Sequence, residues 1–439
     1  MAIPETVYYV IGLVFCAFYA LLKWNDLKYR RKGLPPGTMG LPFIGETSLF
    51  LKGPDFMKLR KSMYGNLFKT HALGSPMVIS MDPEVNRYIL MNEAKGLVPG
   101  YPDSMKNILG VNIAEVHGAV HKRVRGSLLS IVGPVALRDQ VLTKIDKFMR
   151  SFLHNWDGKT IDIQQKSTQM AFFVALELVV ENEPSSFHES FEALFENIFT
   201  GTISLPFNFP GTNYYQGLKA REKVDVILKM LLAKRKASSV IHDDNLQQLL
   251  ESDSKYKLDE EEVIEQIITI LYSGYETVST TTMMAVKYLY DHPKALQAIR
   301  EEHFNIKQNK RPEELISWDD YKKMSFTRAV ILETLRLANV VNGELRRTIK
   351  DVELNVSIDY LNHLLGFIIP KGWRVYVYTR ESNLDPFVYP EPLTFNPWRW
   401  LVGGGRGKQT SGIPEGYCTK RTTHKGHLLR IKEFKQPIN

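Results

Sequence analysis

Three short clusters in this chain carry side chains suited to proton transfer or anion binding. Ser273-Gly274-Tyr275-Glu276-Thr277 sets a carboxylate beside a hydroxyl, a pair that can relay protons toward a bound oxygen. Gly274 interrupts a strongly apolar stretch, at a cost of about 1 kcal/mol relative to alanine in a helix. The missing side chain leaves room for a flat cofactor or a diatomic molecule to approach the backbone. The plainer alternative is a polar face turned to solvent, with Thr277 bonded back to its own helix. Glu333-Thr334-Leu335-Arg336 puts a carboxylate and a guanidinium on one helix face. Left exposed, such a pair is worth roughly 0.3–0.5 kcal/mol and has no functional meaning. His121 and Arg125 are four residues apart, with Lys122 beside them and His117 one turn earlier. They could hold a carboxylate or a phosphate, although a solvated basic face has the same wording.

These clusters need long helices to carry them. The strongest helix signal starts at Asp259, which can cap with Glu262, and runs through Ile267, Leu271 and Met283 until Asp291-His292-Pro293 stops it. At 1.5 Å per residue this helix is about 45 Å long, enough to cross a domain. Apolar residues at three and four spacing predict further helices near 136–155, 186–199 and 216–236. A hairpin is expected over Asn66–Asp82 around Gly74-Ser75-Pro76, and a strand where Trp373, Val375, Val377 and Thr379 alternate with Arg374, Tyr376 and Tyr378. The fold class read here is mainly α with small β-sheets.

The 439 residues are 44% hydrophobic and 11% aromatic, enough for a core that encloses a large ligand. A net charge of +8 does not point to nucleic acid, because the basic residues gather after the first apolar run and in the tail, not along a helical stripe. Cys16 and Cys418 are too isolated to imply a disulfide framework, so a reducing compartment is the simpler assumption. From Thr6 to Leu22 there are 17 uncharged residues, near the short limit for a membrane-spanning helix. Lys23, Lys28, Arg30, Arg31 and Lys32 follow, which predicts an anchor with the body on the cytoplasmic side. A cleaved signal peptide would carry its charge before the apolar run and small residues after it. Leu34-Pro35-Pro36-Gly37 then makes a stiff elbow.

The order of these features resembles the cytochrome P-450 family, haem-thiolate monooxygenases, over residues 34 to 401. The elbow, the basic helix, the glycine-acid-alcohol helix and the E-x-x-R helix precede Phe395-Asn396-Pro397-Trp398-Arg399-Trp400. Leu205–Thr212 and His117–Arg125 look like the plant steroid and terpenoid hydroxylase branch, and Gly372–Tyr378 is most similar to the brassinosteroid-6-oxidases. The resemblance implies a structural triad of Glu333, Arg336 and Arg399. It implies His121, Arg125 and Arg346 facing haem propionates, and Gly274, Glu276 and Thr277 at the oxygen site. It also implies haem, a steroid precursor as substrate, a flavoprotein reductase passing electrons from NADPH, and an endoplasmic reticulum membrane.

The chain departs from that pattern twice. The family's haem segment reads F-x-x-G-x-R-x-C-x-G, and around Cys418 the matching positions are Ser411, Pro414, Gly416 and Lys420. No residue is therefore offered as the metal ligand, although thiolate donation is what favours O–O cleavage in this chemistry. Residues 402–439 read as a divergent, solvated basic tail replacing the family's end. Val356–Leu365 reads as an extra segment, since joining Asn355 to Gly366 restores the family wording. The expected organisation is an anchor with its basic flank at 1–33, the body at 34–401 and the tail at 402–439. Such a chain is expected to be an inactive form of a steroid oxidase, with the apolar faces near Ile267–Leu271 and of the Glu333 helix uncovered. The alternatives are a haem-free membrane protein that binds a sterol or partner, and a hydroxylase of another plant hormone or triterpenoid.

Overall fold

A computed structural model describes residues 13, 19–21, 23–92, 95–110, 116–179, 185–237, 246–247, 258–308, 310–357, 364–401 and 428–430. The anchor run at 6–22 and the tail beyond 401 fall almost wholly outside these residues. Among the described residues no helix is long and apolar enough to cross a membrane. The chain divides into two compact units, one from residues 1–102 and 343–382, the other from 103–342 and 383–439.

The first unit is built on a sheet. Its strands are β1 (Leu67–Ala72), β2 (Ser75–Ser80), β3 (Leu97–Pro99), β4 (Gly343–Thr348), β5 (Val352–Ser357), β6 (Leu364–Ile369) and β7 (Arg374–Tyr378). Five of them form one sheet in the order β1-β2-β7-β4-β3, in which β2 and β7 run parallel and the other neighbours antiparallel. The expected hairpin and the expected strand are therefore neighbours, with Val78 opposite Val375. Period-two alternation sends Val78, Val375 and Val377 into one core with Leu67, Val85 and Ile89. The helices of this unit are α1 (Trp24–Lys28), α2 (Pro54–Tyr64) and α3 (Pro83–Met91). The last is capped by Asp82, whose carboxylate accepts from the Glu84 and Val85 N–H groups at 3.0 and 2.9 Å.

Strands β5 and β6 pair as a hairpin, with Asn355 opposite Gly366 and Ser357 opposite Leu364. The predicted extra segment therefore begins and ends at a paired rung. Its backbone adds two rungs, Val356 with Leu365 and Ser357 with Leu364, and residues 358–363 lie outside the described set. A hairpin end is where added residues disturb the fewest contacts.

The second unit is helical, with α4 (Gly118–Val132), α5 (Leu142–His154), α6 (Ile163–Val179), α7 (Ser185–Thr202), α8 (Asn213–Ala237), α9 (Glu260–Asp291), α10 (Pro293–Gln308) and α11 (Ser325–Ala338). The periodic stretches near 136–155, 186–199, 216–236 and 259–290 all contain helix, the first opening with a π-helical turn at Leu137–Val141. Helix α9 has the predicted capping box: Asp259 accepts from the Glu262 N–H at 2.8 Å, and Glu262 accepts from the Asp259 N–H at 3.1 Å. Ile267–Leu271 are buried, correcting the expectation that this face is uncovered. The reason is α6, a helix the periodicity reading did not single out, which packs along α9 and shares an aromatic cluster with it. Phe172 meets Phe195 at 5.2 Å and Tyr275 edge-on at 5.9 Å. The other half of the expectation holds, since Ile331, Leu332 and Leu335 of α11 are exposed. Within the tail, Leu428–Arg430 lies as a strand antiparallel to Thr160–Asp162, regular structure that the sequence reading does not anticipate.

Two predictions follow from the packing of the sheet unit. Gly45 has φ +61°, and a Cβ there would lie 2.0 Å from the His71 carbonyl oxygen, whereas Gly53 has φ +65° and open space around it. Gly53, with ψ −120°, lies outside even the left-handed helical region, so Gly53→Ala should cost about 1–3 kcal/mol for the backbone alone. Gly45→Ala should cost several more because the His71 backbone must move, and urea unfolding midpoints compare the two. His71 is buried, and burial, with help from the Lys28 charge, pushes its imidazole down to about 4. An unfolded histidine titrates near 6.5, so the unfolded chain binds the proton first as the pH falls. Stability should drop between pH 6.5 and about 4, and that part of the slope should vanish in His71→Gln.

Candidate functional site

Helix α11 begins where Glu302 of α10 accepts hydrogen bonds from the Phe326 and Thr327 N–H groups at 2.6 and 2.9 Å. These are donors that a helix start leaves without intrahelical partners. The helix ends at Asn339, which takes the left-handed conformation at φ 47°. Between these ends Glu333 and Arg336 lie one turn apart and face inward, 0% and 3% exposed. The solvated ion pair that this spacing equally allows is therefore excluded.

Glu333 accepts five hydrogen bonds. Arg336 grips it with two, from Nη2 to Oε1 at 2.8 Å and from Nε to Oε2 at 2.9 Å. Arg399 Nε and the Asn396 N–H each donate to Oε1 at 3.0 Å, and Trp400 Nε1 donates to Oε2 at 2.9 Å. Two guanidinium groups on one carboxylate leave a surplus positive charge. It is spread over backbone carbonyls: Arg336 Nη1 donates to Asn383 at 2.9 Å and Pro392 at 2.7 Å, and Arg399 Nη1 donates to Pro390 at 3.0 Å. Arg336 also lies 5.0 Å from the Tyr389 ring centroid. Burial pushes the Glu333 carboxyl up, but the bonds from Arg336, Asn396 and Trp400 outweigh it and hold the group below the usual carboxylate range. The structure thus brings Glu333, Arg336 and Arg399 together. It adds Trp400, Asn396 and Tyr389, which the sequence reading did not assign. The dense aromatic wording of Phe395–Trp400 was their one available signal.

Helix α9 presents the second cluster. Thr277 Oγ1 donates to the Ser273 carbonyl at 2.6 Å, the back-bonded arrangement of the plainer alternative, and its lone pairs stay available as acceptors. Glu276 and Thr277 are both half-buried. A Cβ added at Gly274 would touch only Ala175 Cβ, at the ordinary distance of 3.7 Å. Packing within the unit therefore does not demand glycine there.

Helix α4 carries the third cluster. Its Arg123 ties it to the start of α9 through Glu262, with Nη1 to Oε2 at 2.8 Å. That link was missed because its partners are 139 residues apart. His121, half-buried, and Arg125, exposed, make no hydrogen bond or ion pair among the described residues, so both are free to meet an acid group. His117 precedes the helix as its N-cap residue and does not extend this face. Arg346 belongs to the sheet unit. It is buried on β4, and its Nη1 donates to Glu344 at 2.7 Å. An open concavity of about 810 Å³ on α10, between Ile299 and Lys307, shares no residue with these clusters.

The donor chemistry fits a haem on one side and not on the other. His121 and Arg125 suit its carboxylates, and the open backbone at Gly274 suits its flat ring. The axial thiolate has no counterpart: neither cysteine lies among the described residues, and neither stands in the family's haem wording.

Removing the Glu333 charge should be severe. Glu333→Gln leaves two buried guanidinium groups without their anion and should cost about 3–5 kcal/mol, against roughly 1.5–3 kcal/mol for Trp400→Phe. Because the native carboxyl titrates below its ordinary 4.5, its stabilisation is present above that pH and lost as the pH falls through the folded value. Acid unfolding followed by circular dichroism should lose this component in Glu333→Gln.

The whole chain was compared with known proteins. Residues 35–416 match the family model for cytochrome P450. Cytochrome P450 85A of Phaseolus vulgaris is 57% identical over 404 residues, covering 91% of this chain and 84% of that protein. The 3beta,22alpha-dihydroxysteroid 3-dehydrogenase of Arabidopsis thaliana is 34% identical over 389 residues, covering 87% and 80%. Among solved structures, the retinoic acid bound cyanobacterial CYP120A1 superposes with a TM-score of 0.72 at 28% identity, covering 84% of this chain and 82% of that one. The Glu333 node, the helical unit around it and these matches together place the chain in the cytochrome P450 family.

Proposed function

We propose that this chain carries the frame of a plant steroid monooxygenase that oxidises a brassinosteroid precursor at ring carbon 6, and that the 439-residue polypeptide itself does not complete that reaction. The first half of the reading rests on identity to a P450 85A protein along most of both chains. The steroid named for the more distant Arabidopsis relative points to the same substrate class. The second half rests on one observation: no cysteine of this sequence stands in the F-x-x-G-x-R-x-C-x-G setting.

In this reading His121 and Arg125 take the carboxylates of a haem, and Gly274 leaves space for its ring. A haem held by a cysteine thiolate would supply oxygen activation. Glu276 and Thr277 would hold a proton path on the oxygen side. The Glu333–Arg336–Arg399 node has no contact with substrate and serves to hold Phe395–Trp400 on α11. Electrons would come from NADPH through a flavoprotein reductase. The apolar run at 6–22 would anchor the chain in the endoplasmic reticulum membrane with its body in the cytoplasm. A second reading, a haem-free membrane protein that binds a sterol, is favoured by the missing thiolate. A third, oxidation of another plant hormone or triterpenoid, is separated from the first only by product identity.

Haem content and the carbon monoxide difference spectrum test the proposal. The purified chain should lack a thiolate-type band. A variant whose residues 402–439 are replaced by a segment with the full F-x-x-G-x-R-x-C-x-G wording should gain the band and convert a brassinosteroid precursor to its 6-ketone. A sulfur-ligated haem in the unmodified chain, turning over a steroid, would overturn the claim of incompleteness. A restored variant that yields only other products would overturn the substrate assignment.

A further inference from the structure

Helix α9 carries a buried polar group that the fold leaves unmet. Among the described residues of the helical unit, three buried side-chain atoms lack a hydrogen-bond partner: Ser167 Oγ on α6, and Glu265 Oε2 and Gln266 Oε1 on α9. A serine hydroxyl in a helix can turn to its own backbone, and the other Glu265 oxygen is held by Arg221 of α8. Gln266 Oε1 has neither remedy. The residue is 2% exposed, so bulk water does not serve it. An unpaired buried amide costs about 1–3 kcal/mol, which a leucine or methionine at this position would avoid. A polar side chain kept at such a cost is expected where a ligand supplies the missing bond.

The position of Gln266 on the helix says which ligand. Residues 266, 270, 273 and 277 recur at intervals of four, three and four, so Gln266, Ile270, Ser273 and Thr277 share one face of α9. Glu265 is turned about 100° away around the helix, toward α8. The shared face is polar at both ends and apolar at Ile270 between them. At 1.5 Å per residue, the eleven residues from Gln266 to Thr277 span about 16 Å, the scale of a steroid nucleus with its side chain. A steroid lying along this face, with its reacting ring carbon at the Gly274–Thr277 end, brings a hydroxyl of its side chain to the Gln266 end. A hydroxyl both donates and accepts, so it satisfies the amide whichever way round the amide lies.

We propose that Gln266 is a specificity-determining residue, whose side-chain amide hydrogen-bonds a hydroxyl on the steroid side chain, at the far end from the oxidised ring carbon. This assignment rests on the steroid reading above and deepens it.

The test is equilibrium binding and thermal melting of the detergent-solubilised full chain. A tritiated steroid with a side-chain hydroxyl should bind about tenfold tighter than the same steroid without it. Gln266→Leu should bring that ratio to about one by weakening only the hydroxylated ligand. Without ligand, Gln266→Leu and Gln266→Met should melt at or above the wild-type temperature, because each removes an unpaired group. A wild-type chain that binds both steroids equally, or a Gln266→Leu chain that keeps the preference, overturns the assignment and leaves the steroid reading standing. A lower melting temperature in both variants reveals a partner for the amide within the chain and likewise overturns the assignment. A wild-type chain that melts cooperatively and binds neither steroid overturns the steroid reading, and the assignment with it.

Discussion

A carboxylate taken fully out of water must be matched bond for bond, and the second unit of this protein is arranged to do that for Glu333. Its oxygens accept from two arginines, an indole and a backbone N–H, and those donors come from two stretches of chain more than sixty residues apart. Any one missing partner would leave a desolvated charge in a low-dielectric setting. The node therefore acts as a clamp: Phe395–Trp400 can lie on α11 only in the register that completes the set. The stacking of Phe395 on Tyr288 at 5.0 Å and the packing of Trp398 on Phe326 at 5.2 Å follow once that register is set.

The five hydrogen bonds that Glu333 accepts among the described residues all come from positions at or before Trp400. Elsewhere in the unit α6 packs along α9, and Ile267–Leu271 are buried. The face of α11 opposite the node differs. Ile331, Leu332 and Leu335 are partly exposed, because the same helix must turn Glu333 inward and its other side outward.

The segment Val356–Leu365 lies at the end of a hairpin, between Asn355 and Gly366, which pair with each other. Val356 pairs with Leu365 and Ser357 with Leu364, while Val352, Leu354 and Ile369 belong to the core of the sheet unit. Ten residues placed inside α9 would instead rotate every later side chain of the helix by about 80°.

What was legible in the sequence is what depends on local spacing. The capping box at Asp259, the turn at Gly74-Ser75, the period of α8 and α9 and the alternation of β7 are each specified within a few residues, and the structure has them. The order of the motifs was legible too, and it pointed to the right family. Tertiary structure alone decided the questions of burial and partnership. Glu333 and Arg336 could have been a solvated pair, and only the return of Arg399 and Trp400 makes them a buried node. The basic face of α4 was visible, but not that Arg123 would be spent on Glu262 while His121 and Arg125 have no partner among the described residues. The spacing at Thr277 allowed either orientation, and its hydroxyl donates to the helix's own Ser273 carbonyl. Local patterns set which groups share a face; long-range packing sets which faces meet, and that depends on contacts no short stretch of sequence contains.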